Sequence, residues 1–461
     1  MRGSSGGSRG DGAAGGGPGK GGDREGGGGP PPASPDPGRT GRSPLHVLSW
    51  TDPAVVAVAL VAAAAGFGQF GLTSTLGSVA DHFGHVLRGS TIADKAGISG
   101  TQLGLGLAVV RLASIGGLPL AGLADRIGRR RVLLVSCGVG LVITITSALS
   151  PSFWWFVFVF ALGRPFLSAT TAVSQVQAAE QTDAGQRASA VALIAAGYSA
   201  GAGLTAVIYG LAGGAIGYRG ILVLAVVPLV GLPLMGRRIV ESDRFMRVAA
   251  SSEARLPVLG AVARPYRRRL VLVTSVAFSL AVITGPANSF VYVYAQNVER
   301  FPGIALSGLV VAAGALGLAG LLGGRWAADR VGRRPTAAGA MVCIGAAGIV
   351  CYSGSRAALV IGYLVGITAA GAFAPAAGAF ANELFPTSVR SSVAGWNVAG
   401  SVLGAVGGLV LFGAVADVGN RFAVAAVVTF LPAMFLSALI YLLPETKGHE
   451  PEWFWPDEGD T

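Results

Sequence analysis

From residue 53 to residue 443 the chain alternates apolar runs of some twenty residues with short polar breaks. A helix of about 20 apolar residues crosses the hydrocarbon core of a bilayer. The pattern predicts twelve such helices: 53–79, 101–124, 132–148, 153–178, 188–212, 220–235, 270–294, 304–328, 337–352, 359–380, 393–416 and 422–443. The longest break, 237–269, divides them six and six. Residues 1–46 are Gly, Pro, Ser, Arg and Asp with almost no large apolar side chain. Such a segment cannot bury enough surface to fold, and it lacks the apolar centre of a signal peptide. The expected organisation is a disordered tail (1–46), a first six-span half (47–236), a linker (237–269), a second half (270–445) and a short C-terminal tail (446–461).

Composition agrees with the pattern. Only 12% of the 461 residues are charged, against about 25% in a soluble domain. The net charge of +11 does not point to nucleic acid, because the basic residues sit in short loops between apolar runs. Those loops set the orientation. Arg126, Arg129, Arg130 and Arg131 follow the second span, Arg187 the fourth, Arg330, Arg333 and Arg334 the eighth, and Arg390 the tenth. The linker adds nine more arginines, and the alternate loops carry only scattered cations. Basic loops stay on the cytoplasmic side, so both termini are expected there, with the protein in the cytoplasmic (inner) membrane. Residues 256–269 fit either a basic helix on the anionic inner leaflet or a solvated linker. Cys137, Cys343 and Cys351 lie inside apolar runs without metal-ligand spacing, and read as small buried hydrophobes.

One charged hinge occurs twice. Residues 121–131 read AGLADRIGRRR and residues 325–334 read RWAADRVGRR. Each places an Asp-Arg pair, one residue, a Gly and two Arg between two spans: Asp125, Arg126, Gly128, Arg129, Arg130, and Asp329, Arg330, Gly332, Arg333, Arg334. The Asp suits a helix end and a partner Arg, and the Gly permits a tight turn. A pattern that recurs about two hundred residues later implies two homologous halves. Gly-rich runs at 314–324 and 395–408 read either as tight seams where helices approach closely or as seams that slide during a conformational cycle.

These residues resemble the major facilitator superfamily of secondary transporters. The hinges are similar to its loop signature, although Ala121 and Arg325 stand where the family usually has Gly. Residues 383–390, ELFPTSVR, and their first-half counterpart 180–187, EQTDAGQR, resemble its signatures after spans ten and four. PETKG at 444–448, VESDR at 240–244 and Gly163-Arg164 are similar to marks of the sugar-porter, or metabolite:proton symporter, branch. The resemblance implies an all-α integral membrane protein of twelve helices in two pseudo-symmetric six-helix bundles. It implies a secondary active transporter that moves a small polar metabolite, a sugar or an organic anion, by alternating access. It implies no enzyme activity and no cofactor beyond a possible coupling proton. The expected partners are the solute and the lipid bilayer, with no nucleic acid, and the expected state is a monomer. A latch is expected from Asp125, Arg126, Arg129, Glu180, Arg187, Asp329, Arg330, Arg333, Glu383 and Arg390, with Asp125–Arg187 and Asp329–Arg390 as its pairs.

Within the spans, full charges are costly and mark function by default. Two occur near mid-span, Arg111 and Arg164. Ser168, Thr171 and Gln175 follow Arg164 at helical spacing, which places them on one face. Gln69 and Thr73 in the first span, Asn288 and Tyr292 beside Gly285-Pro286 in the seventh, and Trp396, Asn397 and Ser401 in the eleventh complete the candidate binding set. Single Ser, Thr and Asn often merely bond across helices. Proton-coupled members of the sugar-porter branch carry an acid in span one that pairs with the span-four Arg, and here GFGQFG at 66–71 has none. Two cations without an acid point to an anionic solute such as a carboxylate. Drug efflux ranks lower, since GYSAGAG at 197–203 lacks the Pro expected of that class. The four histidines, His46, His82, His85 and His449, lie outside the spans and form no catalytic or metal cluster. A non-transporting membrane sensor is the alternative from another class.

Overall fold

The computed structural model describes residues 52–84, 98–182, 187–241, 264–386, 389–418, 421–448 and Phe454. The N-terminal tail, most of the linker and nearly all of the C-terminal tail lie outside the described residues, as does the 256–263 portion of the expected basic helix. Among the described residues the chain is helical and contains no strand. Eleven helices are long and apolar enough to cross a membrane.

The expected spans are present with shifted ends. The first is Pro53–Ser74, opened by Pro53 and by Asp52, whose carboxylate accepts from the Ala54 N–H at 2.8 Å. A short helix, Leu76–Phe83, continues it. The second runs through Gly100–Ala113, a tight turn at Ser114–Gly116 and Gly117–Ile127. The third is Arg129–Ser147 and the fourth Phe153–Gln181. Ser99, Ser152 and Ser355 open the second, fourth and tenth spans by accepting a backbone N–H, a preferred N-cap chemistry.

The fifth and sixth spans differ most from the sequence pattern. Helix continues over Arg187–Val223, but Gly217 within it takes a φ of +62° that separates 187–216 from 218–223. The sixth span is therefore made of 218–223 and the short helix Val226–Gly236. A left-handed φ is accessible to Gly at little cost, so one residue turns the chain where a longer loop was expected.

The seventh span begins at Arg264, six residues before the apolar run, and Arg267, Arg268 and Arg269 belong to that helix. Pro286 lies inside it without breaking it, and it ends in a widened turn at Tyr294–Val298. Gly303–Arg330, Arg333–Cys351, Arg356–Glu383 and Arg390–Asp417 come next, and Phe422–Phe435 continues tightly through Leu436–Leu442 as the twelfth span.

The Gly-rich runs are close seams. Gly320 and Gly324 of the eighth span lie against the backbone of Thr368 and Ala372 in the tenth. Gly404 and Gly408 of the eleventh lie against Phe278 and Val282 of the seventh. Gly197 and Gly201 of the fifth meet Ala59 and Ala63 of the first, where any Cβ would overlap a carbonyl. The first–fifth and seventh–eleventh pairings are equivalents under a six-span repeat. So are the two packings that join early to late spans, second against eleventh and fifth against eighth.

Candidate functional site

A cavity of about 280 Å³ lies where six spans converge. The first contributes Gln69, Phe70, Leu72 and Thr73, the second Leu107, Val110 and Arg111, the fourth Arg164 and the fifth Tyr198. Thr284, Gly285, Asn288 and Ser289 come from the seventh and Ala405 and Leu409 from the eleventh. A larger crevice of about 540 Å³ between the eighth, ninth and tenth spans is lined almost wholly by apolar side chains. It offers no charge and no converging polar groups; those are found in the smaller cavity.

Arg164 is 8% exposed and held by neutral groups. Its Nε donates to Ser114 Oγ at 3.0 Å and its Nη1 to the Gln69 carbonyl at 3.4 Å. The tight turn at Ser114–Gly116 places that hydroxyl there. Gln69 is fixed in turn: its Nε2 donates to the Leu167 carbonyl at 3.0 Å and to Thr171 Oγ1 at 3.2 Å, and its Oε1 accepts from the Tyr198 hydroxyl at 3.2 Å. Arg111 shares the cavity and makes no hydrogen bond or ion pair among the described residues. Among the described residues no Asp or Glu lines the cavity. Two guanidiniums thus stand over a polar space with no counter-charge, and Arg recognises carboxylate and phosphate through paired N–H donors. On the opposite wall Thr284, Asn288 and Ser289 supply neutral donors and acceptors.

Of the residues singled out in the sequence, Gln69, Thr73, Arg111, Arg164 and Asn288 line this cavity. Ser168 instead faces Gly117 of the second span, and Gln175 is exposed two turns further along. Tyr292 is buried off the lining. Trp396 is exposed, and Asn397 accepts from the Thr274 hydroxyl at 3.2 Å, well below Ala405. Tyr198, Thr284, Ser289 and Ser114 were missed. Thr284 lies one turn from Asn288 and was within reach of the same periodicity. Tyr198 sits in GYSAGAG at 197–203, a stretch read only for the Pro that the efflux class would carry there.

The recurring hinges build two matching networks at one end of the bundle. Gly128 and Gly332 take φ of +103° and +125° and start the third and ninth spans. The N–H groups of Arg129 and Arg130 donate to Glu241 at 2.8 and 3.2 Å. Those of Arg333 and Arg334 donate to Glu445 at 2.9 and 3.0 Å. Each Glu lies 112 residues after the first Arg it caps. The Arg129 guanidinium pairs with Glu180 and, at 3.1 Å, with Asp125, while Arg333 pairs with Glu383 at 3.0 Å. The expected Asp329–Arg390 pair does not form: Asp329 is exposed and Arg390 Nε donates to the Phe385 carbonyl at 3.0 Å. The Arg187 side chain, and with it the Asp125–Arg187 pair, lies outside the described residues. Arg126 is exposed, and the Arg330 guanidinium stacks over Trp326 at 5.2 Å. Glu241 and Glu445 fall in the VESDR and PETKG stretches, which the sequence marked without showing what these acids cap.

This doubled architecture has a counterpart in known proteins. The sequence matches the profile of the Major Facilitator Superfamily over residues 58–349 and 315–457. The chain belongs to the major facilitator superfamily. It is accordingly a multi-pass membrane transporter of small molecules and not an enzyme. A relative in Cupriavidus pinatubonensis described as a probable 4-methylmuconolactone transporter is 27% identical over 370 residues, covering 76% of this chain and 84% of the relative. Among solved structures, the xylose transporter XylE from E. coli in an inward-open conformation superposes with a TM-score of 0.68 at 16% identity, covering 87% of this chain and 98% of XylE. The nucleoside transporter NupG superposes with a TM-score of 0.67 at 13% identity, over 84% and 99% of the two chains.

In this superfamily member the hydrogen bonds described between early and late spans lie at the end opposite the hinges. Asp417, the last residue of the eleventh span, accepts from the Gly100 and Thr101 N–H groups at 2.6 and 2.8 Å and from the Thr101 hydroxyl. It thereby caps the second span from across the molecule, a favourable place for a carboxylate. Asn297 donates to Asp81 at 2.7 Å, Gln296 to the Ser74 carbonyl at 3.3 Å and Ser307 to the Val207 carbonyl at 3.0 Å. Gly210 and Gly303 bring the fifth and eighth spans into backbone contact beside them. The hinge networks, by contrast, each stay within six consecutive spans.

Proposed function

We propose that the protein carries a small organic anion across the cytoplasmic membrane by alternating access, with Arg111 and Arg164 as its carboxylate site. The observation that carries this reading is the pair of guanidiniums facing one cavity with neutral partners and no lining acid. The likeness to a relative described as a methylmuconolactone transporter supports it, because a muconolactone is an oxygen-rich ring bearing a carboxylate. Gln69, Tyr198, Thr284, Asn288 and Ser289 would take the hydroxyl, carbonyl or lactone oxygens of the solute.

In the proposed cycle, residues 47–236 and 270–445 act as two bundles that rock about the cavity, with 237–269 as the link. The basic hinge end faces the cytoplasm. The state described is then shut outside by Asp417, Asp81–Asn297 and Ser307, while inside no hydrogen bond between the bundles is described. The expected latch residues Arg129, Glu180, Arg333 and Glu383 would hold each bundle's cytoplasmic end rigid, and the protein would act as a monomer. A sugar is the second reading, favoured by the neutral wall of the seventh span. Lipophilic cations are disfavoured, since two guanidiniums repel them.

A ligand that binds the native state raises apparent stability, by about 2.7 kcal/mol at a hundred times its Kd. Thermal shifts of the purified protein against sugars, carboxylates and lipophilic cations test the reading. Carboxylates should stabilise the native protein and not Arg164→Ala. A shift with sugars alone, retained in that variant, would move the assignment to the second reading. A sensor would show ligand shifts without flux in liposomes.

A further inference from the structure

The charge balance of the cavity limits how the transporter can cycle. Alternating access requires the cavity to close on both sides between its open states. A closed cavity excludes most water, and a guanidinium without water or a counter-ion is strongly disfavoured in a membrane interior. Arg164 is nearly buried already, and its partners, Ser114 Oγ and the Gln69 carbonyl, are neutral. Arg111 makes no hydrogen bond or ion pair among the described residues. Every described Asp and Glu sits at a helix end: Asp52, Asp81, Asp125, Glu180, Glu241, Glu299, Asp329, Glu383, Asp417 and Glu445. Each of Asp125, Glu180, Glu383, Asp417, Glu241 and Glu445 is moreover engaged by groups at its own end. No described carboxylate can therefore swing in to neutralise the two arginines. Among the described residues the lining carries no Asp, Glu or His.

Resting on the anion-carrier reading, we infer that this protein is an obligate anion exchanger: its cavity closes only when an anion is bound. The loaded form carries one positive charge with a monoanion and none with a dianion. The empty form carries two with nothing to offset them. Reorientation of the loaded form is therefore favoured at both faces, and the empty return step is blocked. One anion enters for each that leaves, charge balances when their charges match, and no proton takes part.

The test uses the full-length protein in liposomes with labelled 4-methylmuconolactone and labelled benzoate as probes. Thermal shift first establishes whether these anions bind. Failure of both to bind would remove the anion reading and the inference with it. Where one binds, its uptake is compared between vesicles preloaded with the same unlabelled anion and empty vesicles, with and without an acid-outside pH gradient. Exchange predicts at least tenfold faster uptake into preloaded vesicles, unchanged by a protonophore. Binding together with equal uptake into empty vesicles driven by the pH gradient would overturn the inference while leaving the anion site standing. A second variant supplies the missing counter-charge. Gln69→Glu places a carboxylate beside Arg164, and it should raise net uptake into empty vesicles by about tenfold and make it pH-dependent. If Gln69→Glu folds and binds yet remains as dependent on preloading as the native protein, the charge argument fails.

Discussion

The two halves of the chain are near copies at the hinge end and strangers at the cavity. At the hinges each has a left-handed Gly, two Arg N–H groups capped by a distant Glu, and an Arg paired to a Glu at the end of the next helix. At the cavity the first half supplies Arg111, Arg164, Gln69 and Tyr198, while the second supplies Thr284, Asn288 and Ser289 with no charge. A repeated scaffold therefore carries an unrepeated site. On the anion-carrier proposal, the hinge end must be rigid in both halves, whereas the solute needs to be gripped by its charged end from only one.

The largest effect should come from the half that holds the charges. Arg164→Ala removes a charge-assisted contact from a buried site, and transport of a carboxylate should fall about 100-fold or more, with far-ultraviolet helicity unchanged. The matching change in the neutral wall is the smallest effect expected. Asn288→Ala should lower the same flux only about two- to fivefold, in keeping with one neutral hydrogen bond. Equal losses from both would erase the contrast between the halves.

Between these lie two changes that address the ends. Asp417→Ala removes the cap that joins the second and eleventh spans. It should shift the population toward the outward-open form about tenfold, read as a longer distance between spin labels at exposed positions 149 and 353. An unchanged distance distribution would show that the glycine contact and Ser307 suffice to hold the far end shut. Glu241→Gln and Glu445→Gln test the copied ends, and each should cost about 1 kcal/mol, as loss of a helix cap does. Burial pushes the Glu445 carboxyl up, but N–H donors from Arg334, Arg333, Lys447 and Thr446 outweigh it and hold it below the ordinary Glu range. An acid whose folded pKa is depressed stabilises the fold above its unfolded value, about 4.3, and loses that contribution as pH falls through the folded value. The melting difference between native protein and Glu445→Gln should therefore be full at pH 7, shrink as the pH falls below about 4.3, and disappear only below the depressed folded value.

How much of this was legible in the sequence depends on what a periodic pattern encodes. Run length and loop charge give the spans, because a bilayer imposes one length on every helix. The break at Gly217 was not visible, since nothing in GLAGGAIGY distinguishes which glycine turns. Arg111 and Arg164 were legible because their cost in a membrane demands a purpose. Periodicity gave the correct face of a helix but not the depth. Gln175 shares a face with Arg164 but lies eleven residues on, or about 16 Å at 1.5 Å per residue. Asn397 and Trp396 are displaced along the eleventh span in the same way from Ala405, the residue that reaches the cavity. Tyr292, one turn beyond Asn288, is already buried toward the end opposite the hinges. The capping roles of Glu241 and Glu445 were hidden because each acts on a helix 112 residues upstream.

The most direct test of the central claim compares one solute in two charge states. Isothermal titration would measure the affinity of the native protein, Arg111→Gln and Arg164→Gln for benzoate and for benzamide, which share a ring and differ in the carboxylate. A two-arginine anion site predicts that the native protein prefers benzoate by about 100-fold and that either substitution removes most of that preference while leaving weak benzamide binding in place. Equal affinity of the native protein for the two, or a preference for benzoate that survives both substitutions, would contradict it.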